Sequence, residues 1–418
     1  MLRLKSIRID KLRKVQPGTV LNFTGDTNLV LGKNGVGKTT LLDVIACAAK
    51  LDFSAFENEE IDVTVELNDG NVASIAAPSL KARIRHERVE KGSLPVDSIR
   101  HGNLHPCAVI IDYMLIFGQS KFKVEIANNI VDAAKDSVRI LQFSASSLLP
   151  IVLESLARIR NHFLKSESFV EADMFNMIVD LLTSREDQGR LDESLDVIRA
   201  GMAMSEDVIY SKTFETYGRL SSPTDLRRAL MASVTANNEH LFATSYDVEF
   251  LNEFAQLVDA ELVKTTFNRK SVEDYDGMRR LTFHNQDFFI QRSDTVYFEK
   301  FSYGQKRLLA ILQYLAVNQE IVVADEITNG LHHEWIEFIV KKLEGRQCFL
   351  TSQNPVLLDF LTFTSVAETK NRLIRCEHGA NGTLIWRNLT NEEANDFYTS
   401  YETGMQHVGE IMLKQGLW

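Results

Sequence analysis

The sequence is poor in the features that would place it at a membrane, in an oxidising compartment or around a metal centre. Its four cysteines, Cys47, Cys107, Cys348 and Cys376, are scattered. None forms a CxxC pair, so neither a zinc ribbon nor a cysteine hook is supported, and reduced, mostly buried thiols are expected. No apolar run approaches membrane-spanning length. The start is too charged and too short of apolar residues for a signal peptide, so a cytoplasmic chain without a membrane partner is expected. Positive charge is also in deficit: 46 Lys and Arg against 57 Asp and Glu leave a net charge of −11. That argues against a protein coated in positive charge for nucleic acid, while a local basic patch stays compatible with it. No sustained heptad run occurs, so a long coiled-coil arm is not expected, and no internal repeat or low-complexity tract is present.

What is present is ordinary for a globular chain. The 418 residues are 44% hydrophobic and 25% charged, enough for one large or two modest cores. Leu2, Leu4, Ile7 and Ile9 lie among Arg3, Lys5 and Arg8, a strand pattern followed by a Pro17-Gly18 turn and a second strand at Val20–Phe23. Asn28–Leu31 is a short apolar strand, and Thr40–Ala46 reads as helix. Residues 60–115 alternate in polarity, with turn chemistry at Asn68–Asn71 and a core strand at Val109–Ile111; an antiparallel β-subdomain is expected there.

From about 143 to 268 the period changes. Val152, Leu156, Ile159 and Phe163 recur at helical spacing, which predicts an inserted helical region of several short helices. Strands are expected to resume near 278–298. Ser302 then caps a helix whose Leu308, Ile311, Leu312 and Leu315 share a face. The segment Glu392–Lys414 reads as one helix with Ala394, Phe397, Tyr401 and Val408 on one side, and Leu417-Trp418 as a packed end. The division expected is 1–142, an N-terminal lobe; 143–268, the helical insertion; and 269–418, a C-terminal lobe.

Three stretches carry chemistry. Residues 32–39, GKNGVGKT, fit G-x-x-x-x-G-K-[ST] between an apolar strand and a helix, the context this motif requires. Glycines there let backbone N–H groups of Asn34, Gly35, Val36, Gly37 and the following Lys38, Thr39 and Thr40 converge on phosphates at a helix N-terminus. Lys38 is expected to reach the β- and γ-phosphates of ATP and Thr39 to hold Mg²⁺. The apolar strand Ile321–Ala324 ends in Asp325-Glu326. Two carboxylates at the end of a buried strand call for a counter-charge, which Mg²⁺ at Asp325 supplies, while Glu326 is placed to orient and deprotonate a water. Phe301-Ser302-Tyr303-Gly304-Gln305 puts Ser302 and the Gly304 backbone at a helix N-terminus, again an anion-favouring position.

In this order, P-loop, Ser-x-Gly-Gln stretch and Asp-Glu, the chain resembles the SMC/Rad50/RecF-like branch of ABC ATPases, and particularly the compact AAA-type ATPases of bacterial anti-phage systems and their OLD-like relatives. The resemblance covers roughly residues 1–140 and 275–370. It implies an α/β fold: an ABC-ATPase (P-loop NTPase) head with an antiparallel β-subdomain and an inserted helical region. It also implies a homodimer or higher homo-oligomer in which Ser302, Gly304 and Gln305 of one copy complete the P-loop site of another. Thr328–His332 takes the D-loop position. Gln353 takes the switch position usually held by histidine; a glutamine can orient water but carries no proton, so slow hydrolysis is implied. Gln119 is the first choice for the Q-loop glutamine near the metal, with Gln142 second.

His332-His333-Glu334 is not read as a metal site, because adjacent histidines diverge on a helix and zincin spacing is absent. Short basic strips at Arg3–Lys14 and Lys81–Lys91 read as a solvated strand face or as phosphate contacts. The stretch after Gln353 is too short for an appended nuclease domain, so the output is expected through a separate effector such as a nuclease or toxin, by resemblance in anti-phage defence. The alternatives are a RecF-like head that clamps DNA directly and, with less support, the motor subunit of a transporter.

Overall fold

The structure is a computed structural model. It describes residues 2–50, 53–56, 59–69, 79–88, 107–117, 120–127, 130–134, 140–141, 190–191, 202–205, 225–226, 228–229, 240–275, 278–292, 295–297, 301–352, 356–403 and 407–416. The fold is mixed α/β and divides into two compact units, one of residues 1–185, 345–351 and 362–418, the other of 186–344 and 352–361.

The first unit opens with strands β1 (Leu2–Leu12), β2 (Thr19–Asn22) and β3 (Thr27–Leu31), helix α1 (Lys38–Lys50), and strands β4 (Ile61–Asp69) and β5 (Ser79–Arg88). Strands β6 (Cys107–Phe117), β7 (Ser120–Ala127), β8 (Ile130–Ala134) and β9 (Ile140–Leu141) follow. Eight of these strands form one sheet in the order β2-β1-β4-β5-β6-β7-β8-β9, antiparallel throughout. This is the β-subdomain that the alternation predicts.

The alternation in β1 is imperfect, and the sheet shows why. Leu4, Ile7, Ile9 and Leu12 are all buried, although steps of three residues would put strand neighbours on opposite faces. Register shifts against β4 at Leu4/Ser6 and Ile9/Lys11 absorb the extra residues and return each apolar side chain to the core. Opposite them, Ile61, Val63, Val65 and Leu67 of β4 and Ala82 and Ile84 of β5 are buried.

The second unit contributes β10 (Arg190–Leu191), β11 (Met202–Ser205), β12 (His240–Thr244), α2 (Glu249–Leu257), β13 (Leu262–Tyr275), β14 (Met278–Arg292) and β15 (Thr295–Tyr297). It continues with α3 (Tyr303–Val317), β16 (Ile321–Ala324), α4 (His333–Leu343) and, from 352–361, α5 (Val356–Asp359). Strands β11-β14-β13-β12 make an antiparallel sheet with β15 beside β14, and β10 pairs parallel with β16. Residues 240–268, expected within a helical insertion, thus hold β12, α2 and the first half of β13. The reason lies in Val263, Thr265 and Thr266, β-branched side chains that favour a pleated surface, so the strands resume well before 278. The helical pattern at 152–163 and the end at Leu417-Trp418 lie outside the described residues.

The chain returns to the first unit with β17 (Gln347–Leu350), α6 (Val366–Arg372), β18 (Leu373–His378), β19 (Leu384–Asn388), α7 (Asn391–Glu402) and α8 (Val408–Lys414). Here β3 has parallel partners on both sides, β17 and β18, and β19 runs antiparallel to β18. All five β3 residues are buried, as a strand covered on both faces requires. Buried Asn28 is satisfied locally: its Nδ2 donates to the carbonyls of Asp26 at 2.9 Å and Cys348 at 3.2 Å, and its Oδ1 accepts from Thr24 N at 2.8 Å. Buried Arg372 donates to the carbonyl of Thr27 at 2.9 Å and to Glu368 at 2.9 Å, and also to the carbonyl of Thr362. The segment read as one C-terminal helix is two, α7 and α8, with α7 capped at Thr403 before Gly404; Ala394 and Phe397 are buried as expected.

Candidate nucleotide site

The phosphate-loop sequence lies where β3 turns into α1. Gly32, Gly35 and Gly37 have φ of +139°, +84° and +82°, values that side chains with a Cβ rarely adopt. At Gly32 a Cβ would also collide with the carbonyl oxygen of Cys376 in β18. The first helical bond runs from Leu41 N to Gly37 O at 2.9 Å, so the N–H groups before Leu41 precede the ladder and face the helix N-terminus. The first turn of α1 contains no acidic residue, leaving the dipole's positive end uncompensated for an anion. Lys38 Nζ donates to the carbonyls of Gly32 at 2.7 Å and Lys33 at 3.1 Å, which holds the ammonium over the loop. Val36 is buried while Lys33, Asn34 and Gly35 are exposed.

A hairpin from the far end of the chain backs this loop. Trp386 in β19, 2% exposed, donates its indole N–H to the carbonyl of Val36 at 3.2 Å. A Cβ at Gly37 would lie 2.9 Å from Leu384 Cδ1 and 3.2 Å from Trp386 Cζ2. Burial pushes the Cys376 thiol up to about 12, so the sulfur beside the loop is a neutral thiol rather than a nucleophile. Sequence reasoning missed this support, because nothing local ties residues 376–386 to residues 32–37.

The second unit carries the other two stretches. Ser302 caps α3 in a capping box: its Oγ accepts from Gln305 N at 3.2 Å, and Gln305 Oε1 accepts from Ser302 N at 2.9 Å. Gln305, expected to touch nucleotide, therefore holds the helix end. Leu308, Ile311, Leu312 and Leu315 are buried together, so Ser302 and Tyr303 remain exposed at the tip. Gly304 sits against the D-loop stretch; a Cβ there would lie 2.5 Å from the Gly330 carbonyl oxygen and 3.4 Å from Trp335. This glycine is demanded by close packing, a reason the motif alone does not disclose.

Asp325 and Glu326 follow buried β16. Glu326 is held at φ +48°, a left-handed conformation that costs a non-glycine residue roughly 1–2 kcal/mol. Its surroundings hold it there. Asn329 N donates to the Glu326 carbonyl at 2.9 Å and Asn329 Nδ2 to its Oε2 at 3.3 Å. Arg307, one turn into α3, donates to the carbonyls of Asp325 at 2.9 Å and Glu326 at 3.3 Å. Burial lowers the Arg307 pKa from its ordinary value, against the pull of nearby acids; the group still stays charged near neutrality. The Thr328 and Ser352 hydroxyls are 2.9 Å apart, linking the D-loop stretch to the residue before Gln353. Strained backbone of this kind gathers at functional sites.

The predicted residues thus fall into two groups. Asn34 to Thr40 share the loop and helix start of the first unit; Ser302, Gly304, Gln305, Asp325 and Glu326 share the second. Gln119, Gln142 and Gln353 lie outside the described residues. Among the described residues no group of three or more His, Cys, Asp or Glu could cage a metal. Mg²⁺ is ordinarily held by one or two protein oxygens together with phosphates, and the Thr39 hydroxyl and Asp325 carboxylate are donors of that type. His332 and His333 part as expected, one ring against Trp335 and the other against Phe360. Much of the basic strip is matched by acid: Lys5–Glu66, Arg8–Asp10, Lys11–Glu60, Arg13–Glu59 and Arg83–Asp62 are ion pairs. Among the described residues no helix is long and apolar enough to cross a membrane.

Two family models match this chain. An AAA domain matches residues 6–199, and an "AAA domain, putative AbiEii toxin, Type IV TA system" matches residues 183–359. Together they run from the first strand past the Asp-Glu pair. They place AAA-domain sequence over both the phosphate loop and the Asp-Glu pair, in keeping with the loop geometry above. No curated protein matches it. Among solved structures it is similar to the SMC head domain from Thermotoga maritima, at 11% identity over 93% of this chain and 99% of that one, with a TM-score of 0.37. The recombination mediator protein RecF of the RecFOR pathway shows 14% identity over 93% and 98%, TM-score 0.35. The Smc head domain with coiled coil and joint from Pyrococcus yayanosii shows 11% over 96% and 100%, TM-score 0.34.

Proposed function

We propose that this chain is an ATP-driven switch that binds and slowly hydrolyses ATP, closes as a homodimer around it, and governs a separate effector in anti-phage defence. The observation that carries the reading is the phosphate loop itself, with left-handed glycines at 32, 35 and 37 and Lys38 Nζ poised on the loop carbonyls. Converging N–H groups bind the phosphates, and Lys38 exchanges its carbonyl acceptors for phosphate oxygens. The Thr39 hydroxyl and the Asp325 carboxylate are the oxygens that would hold Mg²⁺ beside the nucleotide, where the ion would supply charge neutralisation. Glu326 orients the attacking water and accepts its proton as the water oxygen bonds to the γ-phosphorus and the bond to ADP breaks. The exposed α3 tip, with Ser302, supplies the γ-phosphate contact to a second copy.

The match to a family model described as a putative AbiEii toxin of a Type IV TA system supports the defence setting. The direct DNA-clamp alternative draws less from the strips on β1 and β5 where Lys5, Arg8 and Arg83 are already paired with carboxylates. The test is Lys38→Ala: ATP binding measured by calorimetry and the protective output in cells are both expected to be lost. Retention of both would sink the proposal. Purification of Glu326→Gln with ATP, which should trap the closed state, identifies the effector by what it retains.

A further inference from the structure

We infer that Trp386 is a positioning residue of the phosphate loop: its indole N–H sets the orientation of the Val36–Gly37 peptide and so aims the Gly37 N–H at a bound phosphate. The argument begins with the peptide. No peptide bond in the described chain is cis, and in a trans peptide the C=O and the N–H point in opposite directions. The Val36 carbonyl is directed to Trp386 Nε1 at 3.2 Å, in a buried contact. The Gly37 N–H is therefore directed away from the indole. Glycine at φ +82° tolerates either orientation of this peptide better than any other residue, so the loop needs an outside contact to select one.

The indole can do this because its own position is fixed. Trp386 is paired with Cys376 across the β18–β19 ladder. Two residues earlier, Leu384 exchanges backbone bonds with the segment after β1: Leu384 N donates to Lys14 O at 2.8 Å, and Gln16 N donates to Leu384 O at 2.9 Å. The Cys376 carbonyl lies under Gly32 and the Leu384 and Trp386 side chains lie under Gly37, so one hairpin meets the loop at both ends. Side-chain packing alone would be served by any large apolar group. The hydrogen bond is what distinguishes tryptophan here, because an indole N–H can only donate and a carbonyl can only accept.

The inference rests on ATP being the ligand of this loop. The experiment replaces Trp386 in the full chain by its benzothienyl isostere, which keeps the ring and exchanges the N–H for sulfur, and in parallel makes Trp386→Phe. Calorimetric Kd values for ATP·Mg²⁺ and ADP·Mg²⁺ are measured well below the melting temperature. The expected result for the isostere is a weakening of about five- to tenfold for both nucleotides, the scale of one lost hydrogen bond, with a melting temperature close to wild type. A Kd within about twofold of wild type, far below that scale, overturns the inference. An isostere chain that fails to fold overturns it too, since the N–H would then serve the fold and not the loop. Wild-type protein that binds no ATP overturns the proposed function itself, a result distinct from equal binding by wild type and isostere.

Discussion

Gly32 and Gly35 belong to one motif, yet the structure predicts different outcomes for the same change. Gly35→Ala meets open space, with nothing within 4 Å of the added Cβ. It carries only the left-handed backbone cost of roughly 1–2 kcal/mol, offset by roughly 0.4–1 kcal/mol because alanine narrows the unfolded ensemble. The net loss is roughly 0–1.6 kcal/mol. Gly32→Ala starts from φ +139°, a strain of roughly 1–3 kcal/mol, and adds a collision with the Cys376 carbonyl. That carbonyl cannot turn aside, because Cys376 is paired with Trp386 in the β18–β19 ladder. Forcing an atom into such a contact costs roughly a further 1–3 kcal/mol. Gly32→Ala is therefore expected to exceed Gly35→Ala by about 2 kcal/mol or more, a difference of about 4–8 °C in melting temperature for a unit of this size. Scanning calorimetry of the two variants without nucleotide reads that difference directly. Melting temperatures within about one degree of each other, well under what 2 kcal/mol produces, would refute the claim that the hairpin carbonyl limits the loop.

Glu326→Gln is expected to keep ATP affinity while phosphate release falls by roughly 10²–10⁴-fold, the usual span for a lost general base; unchanged turnover would remove Glu326 from the chemistry. Glu393 is held down to about 2, first by its hydrogen bond from Arg387. A carboxylate depressed from an ordinary 4.5 stabilises the fold above that value and loses the contribution as pH falls toward 2. Glu393→Gln should therefore flatten the acid limb of stability between those pH values, and an unaltered limb in acid unfolding would contradict the assignment. Arg372→Met removes a buried cation that serves the carbonyls of Thr27 and Thr362 and the carboxylate of Glu368. A loss of about 3–5 kcal/mol is expected in denaturant unfolding; a loss under about 1 kcal/mol would show that water replaces it.

The phosphate loop was legible in the sequence because its function is performed by backbone, and backbone freedom is written locally as glycine. The β-subdomain was legible for a similar reason: alternation in β4 is a local record of which face is buried. The two bulges in β1 were not, since a step of three residues has no meaning until the opposing strand sets the register. The helical spacing at 152–163 predicts a helical insertion over 143–268, whereas Val263, Thr265 and Thr266 obey strand geometry. The least legible parts were partnerships across the chain. Trp386 beneath Val36, Gly304 against Gly330 and Arg307 beneath the Asp-Glu turn exist only once distant segments are packed. Gln305 adds a role that the motif alone does not disclose: its side chain holds the end of α3.

The cap on α3 has a consequence for the speed and cost of anion capture. A serine hydroxyl has two oxygen lone pairs and one proton. The cap uses the oxygen as an acceptor for Gln305 N, which leaves the proton to be donated elsewhere. Terminating the helix and recognising an oxyanion therefore draw on different parts of one hydroxyl. In the proposed closed state an arriving phosphate would have no cap to dismantle and would find a side chain whose rotamer is already set, so the ordering entropy of this contact would be met in folding rather than at the moment of binding.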